Sequence, residues 1–185
     1  VVSTDSIEIA EKAKQYGAEV WFLRPSEMAT DTAPKLPVIR HAFLEAEKYY
    51  GQRFEISVDL DCTSPLRSLE DLTGAYQQFL QVDADVLISA CQSRKNPYFN
   101  MVELIDGRPQ KVKKLDPEPT RRQDAPVVYD MNASIYIWKR AALLGSDSVL
   151  SGKTSLFVMP EERSIDIDNE LDWKLVELIM ATGET

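Results

Sequence analysis

The sequence predicts an α/β protein with a mostly parallel sheet and helices on both faces. Three observations carry this. Short apolar runs alternate with segments of helical spacing through the first half, in the order β-α-β-α-β-α-β. The run VLISAC at Val86 to Cys91 is apolar almost throughout, the pattern of a strand covered on both sides. Clusters of Ser, Thr, Asp and Pro fall just after the apolar runs, where open parallel sheets place their ligand-binding loops.

Val1 to Ser3 reads as a short strand, and Asp5 as the cap of a helix to about Tyr16, with Glu8 in the capping-box position and Gly17 as the stop. Glu19 to Leu23 is a second strand, followed by the irregular RPSEMATDTAPK. Leu36, Ile39, Ala42, Phe43, Ala46 and Tyr50 share one helical face, and Gly51 ends that helix. A third strand covers Ile56 to Leu60, and Ser68 with Asp71 caps a helix to about Val82. After Cys91 the pattern changes. Phe99 to Leu104, the turn Asp106-Gly107 and Pro109 to Val112 form a hairpin, and the charged KKLDPEPTRRQDAP is a loop. Ala133 to Trp138 resumes a buried strand, a short helix covers Lys139 to Leu144, and Phe157 to Met159 leads into SIDID and a last helix. The expected organisation is a main α/β domain over 1–95 and 131–185, with an insertion over 96–130.

With 185 residues the chain is long enough for one core, burying about 70% of its unfolded surface. A net charge of −9 opposes binding to nucleic acid, and no apolar run approaches a membrane span. No secretory signal is read, and two cysteines, Cys62 and Cys91, make no disulfide framework, so the expected compartment is the cytoplasm. Both cysteines read as packing residues.

The chemistry concentrates in SIDIDNELD. In an extended segment Asp166 and Asp168 share a face, and two close carboxylates call for a divalent cation such as Mg²⁺ or Mn²⁺. The competing reading has Asp168 or Asn169 as a helix cap with Asp172 completing a capping box. Asp59 and Asp61 repeat the spacing in DLDCTSPLR. Asp61 is either a further carboxylate for the same metal or a turn acid, with Arg67 a solvated residue at a helix start. Arg121 and Arg122 are either bidentate donors to an anion or a solvated loop pair. His41, the only histidine, is structural in this reading and rules out a His-based triad or multi-histidine zinc site.

The stretches VVSTDSIEIAEKAKQYGAEV, FLRPSEMATDTA, TSPLR, RRQDAPVVYDMNASIYI and SIDIDNELD, in that order, resemble the acylneuraminate cytidylyltransferase family, the CMP-sialic acid and CMP-nonulosonate synthetases. The resemblance implies a Rossmann-like nucleotide-diphospho-sugar transferase fold and transfer of CMP from CTP to a nonulosonic acid. It assigns Asp166 and Asp168 to Mg²⁺, and places Arg24, Thr30 and Asp31 toward the nucleotide. Arg122, Asp61, Asn132 and Tyr136 fall on the sugar side, and the insertion becomes a dimerisation element of a homodimer. Two departures bear on specificity. Asp61 and Cys62 stand where sialic-acid enzymes commonly carry Gln and Pro, and Phe99 or Asn100 replaces a sugar-contacting Lys, which points to legionaminic or pseudaminic acid or a relative. The family's first strand and glycine-rich phosphate loop would lie before Val1, so unpaired strand edges are expected. A metal-dependent nucleotide-sugar glycosyltransferase and a non-catalytic dimerising remnant of the fold remain as alternatives.

Overall fold

The computed structural model describes residues 1–150 and 152–183. The helices are α1 (Ile7–Gln15), α2 (Lys35–Tyr50), α3 (Leu69–Gln81), α4 (Arg140–Gly145) and α5 (Glu170–Thr182). The strands are β1 (Ile56–Leu60), β2 (Val86–Gln92), β3 (Val102–Ile105), β4 (Arg108–Lys111), β5 (Tyr129–Lys139) and β6 (Thr154–Val158). Four strands form a sheet in the order β1-β5-β2-β6, and β3 pairs with β4 alone. The α/β class expected from the sequence is therefore what the chain adopts. The direction of β5 is reversed in this sheet. The amide of Lys139 donates to Asp85 while that of Ser93 donates to Val128, so β5 descends as β2 ascends. By contrast Asp85 N donates to Lys153 O and Met159 N to Ala90 O, so β2 and β6 run together. Periodicity reports which residues are apolar and not which way a strand points, and β5 follows the insertion, not a crossover helix.

The chain divides into two compact units, each described on its own. The first comprises Val1–Asp59, Phe79–Leu87 and Tyr136–Ser155, and the second comprises Leu60–Gln78, Ile88–Ile135 and the chain from Leu156 onward.

In the first unit Val86, Leu87, Ile137, Trp138 and Leu143 are buried. Arg140 forks onto Glu47 at 2.8 and 3.0 Å, and Arg40 Nε donates to Leu143 O, so α2 and α4 are joined by side chains of both signs. Gly51 ends α2 at φ 61°, where a left-handed residue satisfies the last carbonyls. The cap of α1 is Ser6, whose hydroxyl accepts from Ile9 N, one residue later than the expected Asp5. Thr4 Oγ1 takes the Ser6 amide and delays the helix by that step. The expected strands Val1 to Ser3 and Glu19 to Leu23 are not regular strands. They exchange only Val2 N to Glu19 O and Arg24 N to Thr4 O, too few bonds for a ladder.

In the second unit Leu66, Ala75, Ile88, Ala90, Ile135, Met159 and Val176 are buried. Helix α3 packs so closely on the chain at β6 that a Cβ on Gly74 would meet Phe157 Cζ at 3.2 Å, and Gln78 Nε2 donates to Leu156 O. The hairpin β3–β4 turns at Asp106 (φ 51°) and Gly107 (φ 74°), the doubly left-handed turn that Asp-Gly favours. Among the described residues no helix is long and apolar enough to cross a membrane.

Candidate active site

A cavity of about 270 Å³ opens in the second unit, lined by residues of three stretches: Cys91 to Lys95, Asp130 to Asn132, and Glu161 to Asp166. All three follow or interrupt sheet strands.

Its floor is built around Asn132, which is buried. The Nδ2 group donates to Ser164 Oγ at 2.9 Å and to Met159 Sδ at 3.4 Å, while Oδ1 accepts from Ser89 Oγ at 2.7 Å and Ser134 N at 3.3 Å. Both donors and both lone pairs of the amide are used. The backbone turns immediately afterwards. Ala133 sits at φ 51°, a left-handed conformation costing an alanine about 1–2 kcal/mol. The amide of Ile135 donates to Ser89 Oγ at 2.8 Å, so one serine serves both the kinked backbone and the asparagine.

The aspartates depart from expectation. They do not end a strand: β6 stops at Val158, Glu161–Arg163 make a 3-10 turn, and Ser164 to Asp168 are irregular. Nor do they share an environment. Asp166 is half-buried, with a buried Oδ1 that has no hydrogen-bond partner, whereas Asp168 is exposed. Strict alternation fails because neighbouring groups hold the segment: Ile167 N donates to Thr63 O at 2.9 Å, and Asp168 N donates to Asp172 Oδ2 at 3.1 Å. Asn169 caps α5, and Asp172 closes the capping box back onto the Asn169 amide. The helix-cap reading thus holds for Asn169 and Asp172, and it leaves the carboxylate of Asp166 uncommitted. Such an acceptor-only group buried without a donor is what a cation satisfies. Among the described residues no three His, Cys, Asp or Glu form a ready-made cage. Mg²⁺ does not require one, since it commonly takes one or two carboxylates together with substrate phosphates and water.

The remaining expected residues fall in both units. In the second, Asp61 Oδ1 accepts from Thr63 Oγ1 at 3.2 Å, a turn contact. Arg67 is not solvated: it donates to the carbonyls of Asp61, Ser64 and Ser134 at 2.6, 2.8 and 3.2 Å and clamps the TSPLR turn against β5. Arg122 donates to Ser93 O at 3.2 Å, and Arg121 is forked onto Asp124. In the first, Arg24 is held by the hydroxyl and carbonyl of Ser3, and Thr30 and Asp31 are exposed in the bend after Ser26–Met28. Tyr136 is buried, with Lys35 Nζ 4.5 Å from its ring centroid; the same ammonium lies 3.3 Å from Asp59 Oδ2. Of the cysteines Cys91 is buried and lines the cavity, whereas Cys62 is exposed. His41 stands edge-on to Phe22, a packing role.

Sequence reasoning missed the charged mouth of the cavity. Arg94 and Lys95 follow the carboxyl end of β2, and Arg94 pairs with Glu161. The same strand-end rule that singled out the other clusters covered QSRKN as well. It also missed Lys35, whose place on Tyr136 depends on contacts far apart in sequence.

No family model matches the chain. It is 49% identical over 181 residues to CMP-N,N'-diacetyllegionaminic acid synthase of Campylobacter jejuni, covering 98% of this chain and 76% of that protein. It is 48% identical over 180 residues to post-translational flagellin modification protein B of Campylobacter coli, with 97% and 76% covered. A CMP-N,N'-diacetyllegionaminic acid synthase of Legionella pneumophila is 31% identical over 191 residues, covering 100% of this chain and 78% of the relative. Among solved structures, CMP:2-keto-3-deoxy-manno-octonic acid synthetase complexed with CTP superposes with a TM-score of 0.66 over 98% of this chain and 80% of that one, at 13% identity. That last likeness is one of fold.

Proposed function

Because the chain belongs to the acylneuraminate cytidylyltransferase family, we propose that it transfers CMP from CTP to the anomeric hydroxyl of a nonulosonic acid and releases pyrophosphate. The observation that carries the substrate is the 49% identity to a protein named for N,N'-diacetyllegionaminic acid, against 26% to one named for pseudaminic acid. N,N'-diacetyllegionaminic acid is therefore the acceptor we favour. In the reaction the anomeric oxygen bonds to the α-phosphorus, the bond from that phosphorus to the bridging oxygen breaks, and the hydroxyl proton is lost.

Asp166 and Asp168 would hold Mg²⁺, and the buried, unpartnered Oδ1 of Asp166 supports this. Bound there, the ion would offset phosphate charge and draw the reacting oxygens together. The chain's own groups do the rest. Arg122 offers a guanidinium to the sugar carboxylate, with Asp61 and Tyr136 on the same side, while Arg24, Thr30 and Asp31 face the nucleotide. Asn132 contributes shape instead of a hydrogen bond, because its amide is already saturated. The hairpin would be covered by a second copy of the chain: all four residues of β3 are exposed, Leu104 at 74%. The free cysteines suit a cytoplasmic enzyme.

The test is pyrophosphate release from CTP and Mg²⁺ with N,N'-diacetyllegionaminic, pseudaminic, N-acetylneuraminic and 2-keto-3-deoxy-manno-octonic acids. The highest kcat/KM is expected with the first. Preference for another nonulosonic acid would correct the substrate, and release with none would overturn the function.

A further inference from the structure

The 3-10 turn Glu161–Arg163 delivers the chain to the aspartate segment, and its last residue is tied to the start of a distant helix. Arg163 Nε and one terminal nitrogen of its guanidinium meet the two oxygens of Asp71 at 2.7 and 2.9 Å. The Asp71 side chain is only 5% exposed and that of Arg163 24%. Asp71 also receives the amide and hydroxyl of Ser68 at 2.9 and 3.0 Å, so the carboxylate is fixed before the arginine reaches it.

A buried ion pair is poor at adding stability, because desolvating both charges offsets most of their attraction. What it does supply is position. Beyond Arg163, Ser164 is held by Asn132 Nδ2 and itself donates to Pro160 O, and Ile167 N is held by Thr63 O. Asp166 lies between these fixed points, the one carboxylate of the segment with a buried, unpartnered oxygen. The geometry points to Asp71 and Arg163 as positioning residues for the cation-binding carboxylates. They hold Asp166 at its place in the cavity without touching substrate or metal. This inference rests on the cytidylyltransferase reading for its consequence in turnover, and on the fold alone for its consequence in cation binding.

The experiment compares wild type, Arg163→Met, Arg163→Lys, Asp71→Asn and Ser68→Ala by three readouts: Mn²⁺ titration followed by electron paramagnetic resonance with CTP present, hydrogen exchange at the Ile167 amide, and melting temperature. Losing the fork in Arg163→Met is expected to weaken Mn²⁺ binding and kcat together, by about 10- to 100-fold, as loss of an outer-shell partner does. The KM for the acceptor should stay within about twofold, and Ile167 exchange should quicken. Arg163→Lys, which keeps the charge but not the fork, should recover part of the loss and serves if Arg163→Met does not fold. Ser68→Ala should lower the melting temperature while leaving Mn²⁺ affinity unchanged. Unchanged Mn²⁺ affinity in the Arg163 and Asp71 variants would overturn the inference whatever their stability, as would a wild type that binds no Mn²⁺ beside CTP. A wild type that binds Mn²⁺ through an intact anchor yet transfers CMP to no nonulosonic acid would leave the anchor standing and remove the proposed reaction.

Discussion

The floor and the mouth of the cavity are built on opposite principles. On the floor, Asn132 is buried and its amide is fully bonded to Ser89, Ser134, Ser164 and Met159. At the mouth, Arg94 and Glu161 pair with side chains 79% and 49% exposed. A buried network tolerates no partial satisfaction, so it specifies one geometry. An exposed pair is worth about 0–1 kcal/mol and exchanges readily with an incoming anion. The floor determines where groups stand, and the mouth remains free to respond.

Four changes would break or sharpen that contrast. The largest effect is expected at the junction, where Asp166→Ala or Asp168→Ala should abolish Mg²⁺-dependent turnover, a loss of about 10²–10³-fold or more, with the fold nearly intact by circular dichroism. Full activity in both would remove the metal assignment.

Asn132→Ala strikes the floor. It strands hydroxyls of Ser89 and Ser164 in a buried site and should cost about 2–4 kcal/mol in urea unfolding, at about 1–3 kcal/mol for each buried polar group left unpaired. A loss under about 0.5 kcal/mol, the level of ordinary surface substitutions, would mean the network is not closed.

The third change is read by pH. Burial alone would push the Asp71 carboxyl up, but hydrogen bonds from Arg163 and Ser68 outweigh it and hold the group below its ordinary value. A carboxyl depressed in the folded state adds stability above its unfolded pKa of about 3.9, and that stability is lost as pH falls through the folded value. Wild type should therefore lose stability below about pH 4, and Asp71→Asn should show a shallower acid limb in urea midpoints measured from pH 7 to pH 2.5. Equal slopes would place the Asp71 carboxyl at its unfolded value.

The smallest effect belongs to the mouth. Glu161→Gln should change stability by less than about 0.5 kcal/mol while lowering the KM for the acidic sugar, since Arg94 is released from its partner. An unchanged KM would show that Arg94 does not meet the acceptor.

Most local structure was legible because it is written in neighbouring residues. Gly51 closing α2, Ser68 with Asp71 opening α3, Asp106-Gly107 turning the hairpin, and Asn169 with Asp172 capping α5 each depend on side chains within four positions of the backbone they satisfy. The two initial strands were misread because apolar runs of that length define a strand only where a full ladder forms.

The sequence by itself determined the α/β class, the caps and turns, and which motifs carry the chemistry. The fold alone decided that β5 runs against β2, that Asn132 is a saturated brace, and that Asp166 keeps a buried oxygen unpaired while Asp168 faces solvent. It also decided that Asp71 meets Arg163 across 92 positions of sequence. The physical reason is range. Caps and turns are settled by hydrogen bonds within one turn of chain, whereas burial and the partners of a polar atom depend on segments that only packing brings together.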